Sequence, residues 1–268
     1  MKKYKILISD YDGTLCNSQN FISKNNLLAI DGFIKRGGIF VLCSGRATDG
    51  ISKILLSQNF NGLLASFNGA VLYDLNEKKI IFSNGISGEM LCKIATYLSD
   101  KGLNFHVYPE EGFICPKPTK YSKLYEKLTG VKPIFDDNPL KTIKENNLVS
   151  PKVLVFDDKD KLDLYFEEIK NLSPDCEVSR STDNMIDINL KGVNKGSACK
   201  MIAEYFGATI EDVIGVGDAG NDYAMIEQAG LSMAVSNATE EIKELADVVL
   251  PLSNDQDAIA YIIENYCI

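Results

Sequence analysis

Hydrophobic residues along this chain form short continuous runs that alternate with longer stretches of helical spacing. The continuous runs, which are typical of buried parallel strands, cover residues 4–9, 39–43, 63–67, 212–216, 231–235 and 247–250. Helical spacing covers residues 24–36, 51–58, 195–206, 222–228, 239–245 and 255–265. Strands that alternate with helices predict an α/β fold with a Rossmann-like parallel sheet and helices on both faces.

The middle of the chain has a different pattern. Two short extended stretches, 71–73 and 79–82, predict a hairpin. The region that follows it, residues 84–190, contains seven of the eight prolines. This region mixes predicted helices (89–101 and 161–170) with predicted strands (105–108, 152–156 and 185–189). We therefore predict a Rossmann-like core of residues 1–83 and 191–268 with an α+β domain, residues 84–190, inserted into it.

Composition narrows the class of protein. The 268 residues are 45% hydrophobic and 24% charged, as in a globular protein, and the net charge is -9. That charge argues against nucleic acid and against an anionic membrane surface, whereas a small anionic substrate remains possible. No run approaches the roughly 20 apolar residues of a membrane span.

The seven cysteines are scattered and form no C-x-x-C pair. We therefore expect reduced thiols and a cytoplasmic location. The sequence leaves the oligomeric state open.

The first predicted strand leads directly into Asp-Tyr-Asp-Gly-Thr-Leu, residues 10–15. Ligands of open parallel sheets bind beyond the carboxyl ends of the strands, so Asp10 and Asp12 lie where a site is expected. Two carboxylates one residue apart can share a divalent cation. A turn without function that merely uses Asp and Gly explains these residues equally well.

Two further signals suit a phosphate group. Ser44, Gly45 and Arg46 follow the second predicted strand and offer a hydroxyl, space for a close backbone amide, and a cation. Lys195 begins a predicted helix, where the helix dipole disfavours a cation unless an anion is near. Taken singly, the first signal also fits an ordinary loop with a helix cap, and the second fits a lysine in solvent.

Residues 215–222, Gly-Val-Gly-Asp-Ala-Gly-Asn-Asp, follow another buried run. The glycines spell G-x-G-x-x-G, which is the dinucleotide-binding pattern. However, Asp218 would put a carboxylate where a pyrophosphate should approach, and the next strand ends without an acidic residue for a ribose. Asp218 and Asp222 fit better as further acidic groups of a metal site.

The only histidine, His106, lies on a predicted strand of the inserted domain. A Ser-His-Asp triad would have to use it, but the sequence contains no G-x-S-x-G. We expect a structural role for it.

Taken together, these motifs resemble those of the haloacid dehalogenase-like hydrolase superfamily, in particular its Cof-type sugar-phosphatase branch, over essentially the whole chain. Residues 10–14 resemble the first family motif, 44–46 the second, Lys195 the third and 217–222 the fourth. Asn68-Gly69-Ala70 after the third predicted strand also fits that branch, and the insertion resembles the family's α+β cap.

The resemblance implies a phosphoric monoester hydrolase that uses Mg²⁺ and acts on a small phosphorylated metabolite such as a sugar phosphate. It makes Asp10 the nucleophile and Asp12 the general acid and base. Metal binding falls to Asp10, Asp12 through its backbone carbonyl, and Asp218, with Asp222 in support. The implied phosphate-binding and substrate-binding residues are Thr14, Ser44, Gly45, Arg46, Lys195 and Asn221.

Two other functions remain open at this point. A phosphomutase on the same scaffold would pass the phosphoryl group to a sugar and would need a bisphosphate activator. A non-catalytic phosphate-binding regulator would turn over no metabolite at all.

Overall fold

The computed structural model describes residues 3–268. The strands are β1 (Ile6–Asp10), β2 (Ile39–Cys43), β3 (Leu63–Ser66), β4 (Val71–Asp74), β5 (Lys79–Ser83), β6 (Ile86–Ser87), β7 (Phe105–Val107), β8 (Phe113–Cys115), β9 (Pro133–Phe135), β10 (Val149–Ser150), β11 (Lys152–Phe156), β12 (Cys176–Thr182), β13 (Met185–Leu190), β14 (Val213–Gly217), β15 (Leu231–Ala234) and β16 (Val248–Val249). The α-helices are α1 (Lys24–Lys35), α2 (Thr48–Ser57), α3 (Gly88–Asp100), α4 (Lys120–Thr129), α5 (Pro139–Glu145), α6 (Lys159–Lys170), α7 (Lys195–Tyr205), α8 (Tyr223–Gln228), α9 (Glu240–Leu245) and α10 (Ala258–Tyr266).

The chain forms two compact units. The first extends to Arg46 and includes Ile51–Ile81 and Asn194–Ile268. Its sheet has the strand order β16-β15-β14-β1-β2-β3-β4-β5 and is parallel from β16 to β3. Strand β4 pairs antiparallel with β3, and β5 forms the edge beyond it. This is the order of an open, doubly wound sheet, whose ligands bind at the carboxyl ends of the parallel strands.

Both faces of this sheet are covered. Leu7 on β1 packs in one apolar cluster with Phe33 of α1 and Ile259 of α10. Its neighbours Ile6 and Ile8 point to the opposite face and are equally buried. Burial on both faces explains why β1 reads as an unbroken apolar run in the sequence.

The second unit comprises Ala47–Gly50 and Phe82–Val193. Its six-stranded sheet has the order β12-β13-β11-β7-β8-β9 and is antiparallel except for the β8 and β9 pair. On one face, side chains of α3, α5 and α6 such as Leu98, Ile143 and Leu162 complete an apolar core with Val107 and Val155.

The predicted fold class, an α/β core with an α+β insertion, is confirmed. Of the predicted helices, α1 and α7 begin at the predicted residue. The other six begin one to three residues away, and the largest shifts are those of α2, which begins at Thr48, and α10, which begins at Ala258. Helices α4 and α5 and strands β6, β8, β9, β10 and β12 were not predicted. Most of the side chains in β12 are at least partly exposed, so its sequence contains no continuous apolar run. Helix α4 is amphipathic, with Tyr121 and Tyr125 buried at a spacing of four residues, so the signal for it was present in the sequence and was missed.

None of the helices within residues 3–268 is long and apolar enough to cross a bilayer.

Candidate active site

The first motif forms a tight turn at the end of β1. Asp10 ends the strand and is only 3% exposed, and Gly13 adopts a φ of 80°, a conformation that glycine takes without steric cost. A Cβ atom at Gly13 would lie 2.5 Å from Oδ2 of Asp218, so that carboxylate occupies the space beside the glycine. Thr14 is fully buried, and its hydroxyl donates to Oδ1 of Asp218 over 2.9 Å. The first and fourth motifs are therefore in direct contact.

Lys195 is the centre of this cluster. It begins α7, whose first turn is held by a reciprocal capping arrangement between Asn194 and Ser197. The Lys195 side chain is completely buried, and its Nζ donates to Oδ1 of Asp10 and, over 2.6 Å, to Oδ1 of Asp222. A buried ammonium requires such partners, because an unpaired charge in the interior is very unfavourable.

Asp222 uses both carboxylate oxygens within the protein. Besides the bond from Lys195, its Oδ2 accepts from the backbone N–H groups of Asp218 (3.0 Å) and Ala219 (3.1 Å). A Cβ atom at Gly217 would lie 2.5 Å from the Asp222 side chain. The glycine at 217 therefore makes room for this carboxylate, which counts against the dinucleotide interpretation of the motif.

Three of the predicted acidic residues form a group suited to a metal ion. Ligand atoms of Asp10, Asp218 and Asp222 all lie within 4.8 Å of one another. With Lys195 as the only cation bonded to this group in residues 3–268, three carboxylates leave an excess of two negative charges. Oxygen donors and an excess of negative charge are what a hard divalent cation requires.

The protonation behaviour of the cluster agrees with that fit. Burial raises the pKa of Asp10, although Lys195 opposes the rise. Burial also raises the pKa of Asp218, and the hydrogen bond from Thr14 opposes it. Burial disfavours the charged form of Lys195, but Asp10 and Asp222 outweigh burial, so its pKa is raised and it stays cationic. A bound divalent cation would favour the ionised carboxylates.

Asp12, in contrast, is exposed and paired with Arg46. Nε of Arg46 donates to Oδ2 of Asp12 over 2.9 Å, and Nη2 donates to Oδ1 over 2.6 Å. The guanidinium also lies 5.6 Å from the centre of the Tyr11 ring. Arg46 and Asp12 therefore form a bidentate ion pair, a contact that the sequence did not predict.

Ser44 and Gly45 lie beside Arg46 at the end of β2. Ser44 is buried, and its Oγ accepts from the backbone N–H of Arg46 over 3.2 Å, so its own hydroxyl hydrogen is free to point elsewhere. A Cβ atom at Gly45 would lie 3.0 Å from Oδ1 of Asn68. The need for glycine at this position thus comes from the neighbouring Asn68 side chain.

The remaining predicted residue, Asn221, is exposed in the 3-10 turn Gly220–Asp222. Two asparagines that were not predicted from the sequence donate hydrogen bonds to backbone carbonyls in the first motif and just after it. Nδ2 of Asn237 donates to the carbonyl of Gly13 over 2.8 Å, and Nδ2 of Asn254 donates to the carbonyl of Cys16 over 2.9 Å. Asn237 follows β15, so its place after a parallel strand was the signal that could have identified it.

His106 lies in the second unit, on the face of its sheet opposite the helices of the apolar core. Its ring packs against Phe113 (4.1 Å between centroids) and Tyr125 (4.9 Å). Nδ1 of His106 has no hydrogen-bond partner within residues 3–268, so no carboxylate orients this imidazole. The geometry of a Ser-His-Asp triad is therefore not formed by the described residues.

Comparison with known proteins agrees with this geometry. Residues 7–263 match the model of the haloacid dehalogenase-like hydrolase family. Two Bacillus subtilis proteins, both named 5-amino-6-(5-phospho-D-ribitylamino)uracil phosphatase, are similar to this chain. The first is 28% identical over 97% of this chain and 97% of its own length, and the second is 26% identical over 98% of this chain and 95% of its own length. A haloacid dehalogenase-like hydrolase from Bacteroides thetaiotaomicron has the same fold, with a TM-score of 0.82, 29% identity and coverage of 98% of this chain and 99% of its own.

The family match spans nearly the whole chain, and the four motifs meet at one edge of the core sheet. The predicted class of enzyme, a phosphoric monoester hydrolase, is confirmed with the family. The chain belongs to the haloacid dehalogenase-like hydrolases.

Proposed function

We propose that this enzyme is a Mg²⁺-dependent phosphatase that hydrolyses a small phosphorylated metabolite, a sugar or polyol phosphate, through an aspartyl phosphate on Asp10. The observation that carries the proposal is the buried contact of Lys195 with Asp10 and Asp222. That contact leaves Oδ2 of Asp10 as the oxygen that can attack phosphorus, beside a cation that can neutralise a phosphoryl oxygen.

The reaction proceeds in two displacements. In the first, Oδ2 of Asp10 forms a bond to phosphorus, the bond from phosphorus to the leaving oxygen breaks, and Asp12 gives that oxygen a proton. In the second, Asp12 takes a proton from water, the water oxygen bonds to phosphorus, and the bond to Asp10 breaks. Splitting the transfer in this way replaces one difficult step by two easier ones.

Asp12 can deliver a proton only when Arg46 releases at least one of its two oxygens. A phosphate dianion is a strong competitor for a guanidinium, since it accepts the same forked pair of hydrogen bonds. Substrate binding would therefore draw Arg46 toward the phosphate and free Asp12 for the leaving oxygen. Arg46 would thus pair with Asp12 in the free enzyme and with the phosphate in the substrate complex.

Asp10, the backbone carbonyl of Asp12, and Asp218 would hold Mg²⁺, while Asp222 keeps Lys195 and the 218–219 turn in place. When bound, the ion supplies positive charge for the transferring phosphoryl group and for the nucleophilic carboxylate. Ser44 and Asn221 would donate to the phosphoryl oxygens. The second unit would serve as the cap, the inserted domain predicted for residues 84–190.

The relatives support the class of substrate. The two Bacillus subtilis phosphatases carry the name of a substrate whose phosphate sits on a ribityl chain. That compound, together with hexose, pentose and polyol phosphates, makes a suitable panel for this enzyme.

The test is phosphate release from this panel with Mg²⁺ and with excess chelator, in wild type and in Asp10→Asn. We expect chelator-sensitive release by the wild type and none by the variant. Rapid acid quenching followed by mass spectrometry should show a phosphoryl adduct on the wild-type protein only. Turnover that requires a bisphosphate activator and yields an isomeric phosphate would instead identify a mutase, and release by Asp10→Asn would exclude the covalent mechanism.

A further inference from the structure

The turn that follows β3 has an unusual backbone. Phe67, Asn68 and Gly69 adopt successive φ values of 51°, 57° and 93°, all in the left-handed region. Glycine adopts this region freely and asparagine tolerates it, but a bulky aromatic residue is strained there. Strained backbone persists only where the surrounding structure enforces it, and it is concentrated at functional sites.

This turn is hydrogen-bonded to the second motif. The backbone N–H of Phe67 donates to the carbonyl of Arg46 over 3.0 Å, and that of Asn68 donates to the carbonyl of Ser44 over 2.9 Å. The two bonds hold the residues on either side of Gly45. Two consecutive N–H groups of the left-handed turn are therefore directed at the same loop.

The other side of the turn packs against the beginning of α7. A Cβ atom at Gly69 would lie 2.2 Å from Cβ of Ala198 and 3.5 Å from the carbonyl oxygen of Asn194. Asn194 caps α7, and the next residue is Lys195. Gly69 therefore sets how closely the start of this helix approaches the end of β3.

We propose that the turn Phe67–Gly69 positions Ser44 and Lys195 relative to each other, with Asn68 as its central positioning residue. The role rests on the proposed function, since it presumes that these two groups bind one phosphate. What the turn supplies is backbone geometry. The buried Oδ1 of Asn68 accepts no hydrogen bond within residues 3–268. We therefore assign the role of this residue to the left-handed backbone at a φ of 57°, which asparagine tolerates.

The first test compares Asn68→Gly with Asn68→Val. Both substitutions remove the carboxamide, but glycine adopts a φ of 57° freely and valine does not. We expect Asn68→Gly to retain the wild-type inhibition constant for inorganic phosphate within about twofold. Asn68→Val should raise it by about 10-fold or more and lower kcat, because small misplacements of positioned groups cost up to about 100-fold in rate.

A separate readout distinguishes positioning from general loosening. Calorimetric titration with Mg²⁺ should give the same affinity in wild type, Asn68→Gly and Asn68→Val. The proposed metal residue Asp10 ends β1, and Asp218 directly follows β14. Within residues 3–268 neither residue is hydrogen-bonded to the turn. A variant that weakens phosphate and Mg²⁺ binding together has lost the fold of the site, which would contradict the positioning role.

A compensating pair makes the test independent of Asn68. Gly69→Ala should weaken phosphate binding for two reasons, because its methyl group presses on Cβ of Ala198 and because alanine is strained at a φ of 93°. Ala198→Gly in the same chain should recover the part of the loss that comes from the contact. Ala198→Gly alone is the matched control and should bind phosphate like the wild type. A double variant no better than Gly69→Ala would overturn the spacing argument, even if Asn68→Val does not fold.

The outcomes separate this inference from the proposed function. A wild type that neither hydrolyses the panel nor binds inorganic phosphate removes the proposed function and the positioning role with it. A wild type that does both, while Asn68→Val and Gly69→Ala bind phosphate normally, removes only the positioning role. An equal loss in Asn68→Gly and Asn68→Val would show that the carboxamide itself is needed, which also overturns the inference.

Discussion

Arg46 and Asp12 form a two-pronged ion pair across the mouth of the site, with N–O distances of 2.9 and 2.6 Å. The two side chains are 45% and 53% exposed, so water and salt screen the pair and it adds little to stability. Because this ion pair restricts two side chains and adds little stability, a role in substrate binding or catalysis explains it better than a role in folding. The same guanidinium can bind Asp12 or a substrate phosphate.

Arg46→Lys provides the direct test. An ammonium group cannot present two parallel N–H donors, so we expect kcat/KM to fall by about 10-fold or more, whereas the unfolding midpoint stays near that of wild type. Arg46→Met, which keeps the length and removes the charge, should lose more activity than Arg46→Lys. Steady-state kinetics and urea unfolding of the three proteins check this, and full activity of Arg46→Met would remove Arg46 from the reaction.

Asp10→Asn and Lys195→Met should separate catalysis from stability. Asp10→Asn removes the nucleophile but leaves Lys195 paired with Asp222, so we expect no turnover and an unfolding free energy close to wild type. Lys195→Met leaves buried carboxylates without their cation, which should cost about 3–5 kcal/mol. Urea unfolding monitored by circular dichroism measures both. Equal stability of the two variants would mean that the lysine is not needed to neutralise the cluster.

Thr14→Val should weaken metal binding. The hydroxyl of Thr14 donates to Oδ1 of Asp218, and valine has the same shape without the donor. Loss of a hydrogen bond that orients a metal ligand typically costs about 10-fold to 100-fold in affinity. We expect a loss of that order in calorimetric Mg²⁺ titration for Thr14→Val, and near wild-type affinity for Thr14→Ser. An unchanged affinity in Thr14→Val would show that Asp218 does not depend on this bond, or does not bind the metal.

His106 should make the protein sensitive to acid. Burial lowers its pKa to about 3, and Lys152 adds to the effect. Its unfolded-state pKa is near 6.5, so between pH 6.5 and 3 the unfolded chain binds a proton that the folded chain does not. The contribution of the neutral ring is therefore complete above pH 6.5 and is lost as the pH falls, by about 1.4 kcal/mol per unit.

The matched variant is His106→Phe, which keeps a ring against Phe113 and Tyr125. Between pH 7.5 and 5.5 we expect wild type to lose about 1.4 kcal/mol more unfolding free energy than this variant, because the carboxylates titrate alike in both. Urea unfolding at the two pH values measures the difference. Parallel losses in the two proteins would mean that His106 takes up a proton without unfolding.

Several features of the site followed from the sequence because they depend on local rules. Continuous apolar runs identified the buried strands, and polar residues directly after them identified Asp10, Ser44 and Asp218 as neighbours. The motifs also resemble those of the haloacid dehalogenase-like hydrolases, and the match over residues 7–263 confirms that family. Helix α5 was not predicted, since its seven residues are too few to give a clear period. Helix α4 was missed although Tyr121 and Tyr125 lie buried at helical spacing.

What only the tertiary structure decided is which donor meets which acceptor. Thr14 and Asp218 are 204 residues apart in sequence, and Arg46 and Asp12 are 34 apart, so no local pattern distinguishes these pairs from other partners. The left-handed turn at Phe67–Gly69 was equally hidden, because the letters Phe-Asn-Gly fit many turns and only the contacts with Ser44, Arg46 and Ala198 select this one. The sequence determined the sheet, the edge where the site lies and the chemistry of its groups, since those follow from periodicity and residue type. The orientation of each group depends on packing between distant segments, and that is specified only when the chain has folded.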